Sequence, residues 1–195
     1  MTTPYEHGSL TRETARALAR RGVVAALVLC VGLWGAVLLA QRGAASPAER
    51  DGRTVRDLRA AGCEYDTRAD RGRTHVDAPR YTVEPPSGGD HLPRPAEAGV
   101  HAVAPPDGEL VHALEHGLVV VWLGTGVDDA AVRPFAQTFR EEVVVVRRPG
   151  VTGVAATAWH RRLHCPSFSE PALRAFVCAF RGRGPERPAP RRDVC

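Results

Sequence analysis

Hydrophobic and polar positions divide the 195-residue chain into three regimes. Residues 22–40 are an unbroken run without charge, and mostly apolar. At about 1.5 Å per helical residue, such a run crosses a hydrocarbon core about 30 Å thick. Residues 41–62 are polar and predict a stalk, partly helical near 54–61. Residues 63–107 are interrupted by Pro79, Pro85, Pro86, Pro93, Pro95, Pro105 and Pro106, which favours short strands and turns. From Asp107 the pattern turns regular. Asp107 caps a short helix over 108–116 that Gly117 stops, and the apolar run 118–123 reads as a buried strand. Asp128 or Asp129 starts a helix through 140, and 143–146 is a second buried strand, broken by Pro149 and Gly150. Residues 154–159 form a third strand, and Ser169 caps a helix over 170–181. The order β-α-β-β-α predicts an α/β (α+β) domain with a small mixed sheet, preceded by one transmembrane helix. The first two strands should be parallel, and the third antiparallel to the second.

The expected organisation is a cytoplasmic segment 1–21, a transmembrane helix 22–40, a stalk 41–62, an extracytoplasmic domain 63–186 and a tail 187–195. Arg12, Arg16, Arg20 and Arg21 precede the apolar run and only Arg42 follows closely, so the positive-inside rule places the N-terminus in the cytoplasm. A cleaved signal peptide is the alternative reading of the same run. Cysteine usage fits an outside location: Cys30 lies in the run, and four cysteines follow it. Of three possible pairings, Cys63–Cys165 with Cys178–Cys195 is the expectation, with free buried thiols the alternative. No Cys-x-x-Cys exists, so although the element order is somewhat like the second half of a thioredoxin fold, thioredoxin chemistry is not expected.

All 26 basic residues are arginine. The net charge of +4 resides in the flanks, because between Cys63 and Glu186 14 Arg stand against 16 acidic residues. No arginine-dense face with interleaved aromatics appears, which argues against nucleic-acid binding. The expected partner is the membrane, through residues 22–40, with a membrane protein beside it as a further candidate.

The chemistry concentrates in His112-Ala113-Leu114-Glu115-His116, a His-x-x-Glu-His motif. A spacing of four puts both imidazoles on one face of a helix. A working metal site needs at least three protein ligands, and His91, delivered by the turn Pro85-Pro86-Ser87-Gly88-Gly89, is the expected third. His75 and His101 are the reserves. His160 and His164, separated by Arg161 and Arg162, read as solvated surface, and His7 falls in the cytoplasmic segment. Cys165 beside His164 reads as half of a disulfide rather than a nucleophile. Trp122, Trp159, Tyr65 and Tyr81 read as packing residues. Imidazoles with a carboxylate suit zinc or copper as a divalent ion, and a single Met excludes a Met-rich Cu(I) site. The leading expectation is a divalent-metal-binding domain using His91, His112 and His116. One alternative is a metal-dependent hydrolase with Glu115 as its catalytic residue. Another is a scaffold or interaction domain in which the cluster is structural.

Four segments carry a resemblance: Cys63, Pro85 to His91, Val111 to Gly117, and Thr157-Ala158-Trp159 followed by Cys165. Together they resemble an uncharacterised, mostly actinobacterial family of single-pass membrane proteins with a domain of unknown function, over roughly 63–186. Ser87-Gly88 stands where that family has Thr-Ser. The resemblance implies the fold and topology and supplies no activity. His112 to His116 alone is also similar to the inverted zincin helix of pitrilysin-type peptidases and to the metal helix of S-ribosylhomocysteine lyase.

Overall fold

The computed structural model describes residues 16, 23, 24, 26–34, 46–186, 194 and 195. The chain divides into two units, Met1–Glu49 and Arg50–Cys195. In the first, residues 26–34 are helical, and Val31, Leu33 and Trp34 are exposed. No helix among the described residues is long and apolar enough to cross a membrane. The expected span 22–40 includes residues 22, 25 and 35–40, which lie outside the described residues, as do residues 187–193 of the expected tail.

Helix α1, Pro47–Ala60, begins on a capping box. Ser46 Oγ accepts from Glu49 N at 3.2 Å, and Glu49 Oε2 accepts from Ser46 N at 2.7 Å. The helix is longer than the stalk reading implied. Its Leu58 is 1% exposed and packs in the core of the second unit, and Asp51 pairs with Arg183 at 2.7 Å.

The second unit is built on six strands: β1 Glu64–Asp66, β2 Gly99–Val100, β3 Val119–Leu123, β4 Val143–Arg147, β5 Val154–Ala158 and β6 Arg161–Cys165. Their order across the sheet is β1-β6-β5-β3-β4-β2. The β2, β4 and β3 strands run parallel, while β3, β5, β6 and β1 form an antiparallel succession. Helix α2 spans Asp107–Glu115, α3 Asp129–Thr138 and α4 Glu170–Phe180. Alternate residues of the central strands face opposite sides, and both sides are apolar. Val119, Val121, Val143, Val145 and Ala156 pack against Phe135 of α3, Phe176 and Val177 of α4, and Leu58. Val120, Trp122, Val144, Val146 and Ala155 pack against Leu110, Ala113 and Leu114 of α2. The sheet is thus covered on both faces, and α2 is pressed against it from one side.

The parallel β3–β4 pair is as expected. The third strand is antiparallel but takes its place beside β3 instead of β4. Strand β6 was not expected at all. In Arg161-Arg162-Leu163-His164-Cys165 only Leu163 and Cys165 are buried, so a period of two is hidden by flanking charge. The preceding two-residue turn, Trp159-His160, lacks the Asn-Gly or Asp-Gly signal of a hairpin, and His160 itself takes the positive φ of 59°. His164 therefore lies in the sheet, half-buried and donating from Nε2 to Thr152 O, while His160 is exposed. Both expected disulfides are present, Cys63–Cys165 and Cys178–Cys195.

Candidate metal centre

The 67–98 stretch between β1 and β2 has no regular element, and side chains take over the satisfaction of its backbone. Asp70 accepts from Thr82 N, Thr82 Oγ1 and Val83 N. Asp90 Oδ1 accepts from Thr74 N at 2.9 Å, and Tyr81 donates to Asp90 O at 2.8 Å. Ser87, fully buried, donates to Arg68 O. The turn that follows needs Gly89 at φ 120°, a conformation that side chains oppose. These bonds set His91 against His75 through a parallel bridge, with Val76 N donating to His91 O at 2.9 Å and His91 N to Thr74 O at 3.0 Å.

Helix α2 supplies the other half. Its N-cap is Pro106, with no side-chain cap, so Asp107 is the first helical residue instead of the cap expected; its carboxylate instead takes an ion pair with Arg148 at 2.6 Å. The helix turns His112 and Glu115 toward His91. The rings of His75, His91 and His112 form a near-equilateral triangle, with centroids 5.0, 4.7 and 4.6 Å apart. One ligand atom from each of His75, His91, His112 and Glu115 lies within 4.8 Å of the others. A tetrahedral zinc ion at about 2.0–2.1 Å from its ligands would need separations of roughly 3.3 Å, so the donors would have to draw together around an ion.

The hydrogen bonds fix the tautomers. His91 Nδ1 lies 3.0 Å from Gly89 O, and His112 Nδ1 lies 2.7 Å from Leu92 O. A carbonyl only accepts, so in each ring Nδ1 carries a hydrogen, and in the neutral ring Nε2 presents a lone pair, which for His112 faces His116 Nε2 at 3.0 Å. His91 Nε2 is 3.0 Å from Glu115 Oε2, yet the two are not aligned for a hydrogen bond, and this buried nitrogen has no hydrogen-bond partner among the described residues. An imidazole nitrogen and a carboxylate oxygen at that distance need either a proton on Nε2 or a metal ion between them. Glu115 is itself 2% exposed, and its other oxygen, Oε1, is 3.2 Å from Arg73 Nε.

His116 stands at the margin. Its ring stacks on that of His112 with centroids 4.9 Å apart, so the two do share a helix face as their spacing predicts. Its Nε2 lies 3.0 Å from His112 Nε2 and 3.4 Å from Glu186 Oε2, outside the four-residue group. His75, a reserve in the sequence, is inside the group. His101 is not: its Nε2 donates to Glu97 O beyond β2. What sequence reasoning undervalued was the Thr74-His75-Val76 segment, where the polar-His-apolar alternation of a short bridge was the available signal.

Burial, followed by the neighbouring imidazoles His91, His116 and His75, holds His112 below the usual histidine value of 6.5, against the raising effect of its bond to Leu92 O. Such a ring stays neutral, the form that ligates metal. It also makes stability depend on pH. The unfolded chain takes up the proton first, so stability present above 6.5 is lost as pH falls through and below it. The metal-free chain should therefore unfold at lower denaturant at about pH 5.5 than at about pH 7.5, and His112→Gln should lose part of that difference. Equal pH dependence in both proteins would show that His112 does not carry it.

Two clefts lie elsewhere. One of about 580 Å³ is lined by Arg68, Arg148 and Arg162 with Asp66 and Glu84, and its arginines are engaged in ion pairs with Asp66, Glu84 and Asp107. The other, of about 420 Å³, lies along β2 and α3 and includes His101. Neither is lined by His75, His91, His112 or Glu115.

Fold and site together define a disulfide-bonded α/β domain with a His/Glu cluster that could hold a metal ion. Residues 75–193, more than half of the chain, match the model of the DUF3105 family, described as a protein of unknown function, and the chain belongs to that family. The match begins at His75 and takes in all four cluster residues. No curated protein and no solved structure matches the chain.

Proposed function

We propose that this protein binds one divalent transition-metal ion, zinc or copper, through His75, His91, His112 and Glu115, on a domain held outside the cytoplasmic membrane by residues 22–40. The observation that carries the reading is the fully buried His91, whose Nε2 has no hydrogen-bond partner among the described residues and faces a buried carboxylate oxygen at 3.0 Å. Burying such groups uncompensated costs several kcal/mol by rough count, and an ion removes that cost. Three imidazoles and one carboxylate match the N/O donor preference of Zn²⁺ and Cu²⁺. The arginines before residue 22, the apolar run and the two disulfides support the location. A membrane protein beside the anchor remains the candidate partner.

Binding is favoured over hydrolysis because four protein donors, Glu115 among them, converge on one point. The hydrolase reading also needs Glu115 as a base beside ligands His112 and His116, whereas Glu115 here faces the cluster as a donor. In the scaffold reading, a proton on His91 replaces the ion. The full chain, purified in detergent and measured by elemental mass spectrometry, should carry about one equivalent of zinc or copper. No bound metal after reconstitution with either ion would overturn the proposal in favour of the scaffold.

A further inference from the structure

The cluster is walled on three sides and reaches solvent on the fourth. His91, His112 and Glu115 are buried, His75 is exposed, and the side chain of Arg73 is 60% exposed. Arg73 and His75 stand two residues apart on the segment that bridges to His91, so in strand-like backbone their side chains leave on the same side. Both reach the cluster: the His75 ring lies against those of His91 and His112, and Arg73 Nε lies 3.2 Å from Glu115 Oε1. Arg73 and His75 are thus the exposed groups beside the buried His91, His112 and Glu115.

The charges then define what can approach. Without an ion, Arg73 balances the buried Glu115 carboxylate. A divalent ion bound to three neutral imidazoles and that one carboxylate leaves a net positive charge, and Arg73 adds a second beside it. A guanidinium presents paired N–H donors in a plane, the geometry that two oxygens of a carboxylate or phosphate accept. Zinc is able to reach five-coordination, as it does in sites open to a water or substrate. We infer that the metal centre takes a small oxyanion, a carboxylate or phosphate group, as an outside ligand held between the ion and Arg73. This rests on the metal-binding reading above. It involves ligand addition alone, with no bond in the anion broken.

Cobalt(II) in place of the native ion tests it, because its visible spectrum reports coordination number. The full chain is loaded with Co²⁺, its metal content is measured, and acetate and phosphate are titrated separately at constant ionic strength. Saturable spectral change is expected with at least one of them, and chloride should give none. Arg73→Ala should weaken that affinity roughly tenfold or more at unchanged metal content. Arg73→Lys, which retains the charge that steadies Glu115 and lacks the planar fork, should fall between the two. Bound cobalt with no saturable response, or the same affinity in Arg73→Lys as in the unaltered chain, overturns the oxyanion and leaves the metal site standing. Failure to bind cobalt at all overturns both.

Discussion

Replacing His91 by alanine should abolish the proposed metal binding, with an affinity loss well above the 10- to 100-fold that is roughly typical of residues acting from outside the ligand shell. The effect should be this large because His91 is central in three ways. Its ring is fully buried, its centroid is within 5.0 Å of those of His75 and His112, and its Nε2 lies 3.0 Å from Glu115 Oε2. No other donor among the described residues occupies that corner of the group. His116→Ala is the informative partner experiment. His116 meets the group at His112 Nε2 and lies outside the four donors, so its removal should leave stoichiometry intact. Chelator competition on both variants reads the contrast. Full stoichiometry in His91→Ala, or its loss in His116→Ala alone, would move the centre to the His112–His116 pair. Denaturation of the metal-free proteins separates ligation from folding, since a purely structural His91 would change the midpoint and leave any metal content as it was.

The second large effect is on stability. Converting both Cys63 and Cys165 to alanine should cost about 4 to 5 kcal/mol, because the bridge closes a loop with a sequence separation of 102. Both cysteines are buried, and the bridge lies one residue from the Glu64↔His164 pair, so it holds the edge strand β1 to β6. The Cys178–Cys195 bridge has a separation of 17 and an expected contribution nearer 3 kcal/mol. Urea unfolding of the full chain with each pair replaced ranks the two. A loss below about 1 kcal/mol for the first pair would show that the reduced chain retains the same constraint by other means.

Some of this was legible in the residues. The apolar runs at 118–123 and 143–146 gave the parallel centre of the sheet because burial on both faces leaves no alternation to misread. Asp128 and Ser169 cap α3 and α4 with their side chains, as short oxygen-bearing residues before apolar helices should. Ser46-Pro47-Ala48-Glu49 carried an equally plain capping box that was passed over in favour of polarity, and α1 began earlier than expected. His112 and His91 were legible from the motif and its turn. Which of Glu115 and His116 joins the group was not, because a helix places positions three and four residues away on nearly the same face, and only packing selects between them. For His75 the alternation at Thr74-His75-Val76 hints at extended backbone, but its partner His91 lies 16 positions away across a bridge of one residue pair, which local pattern does not reach.

The sheet also closes itself off. Its interior strands β3, β4, β5 and β6 have five residues each, while its edge strands are three-residue β1 and two-residue β2. A long flat edge would offer a row of unpaired N–H and C=O groups to any neighbouring chain. Here each edge has room for one or two such bonds, and β1 carries Glu64 and Asp66 as well. Copies crowded together therefore have little to polymerise through, and aggregation by strand addition is blocked by how short the outermost strands are.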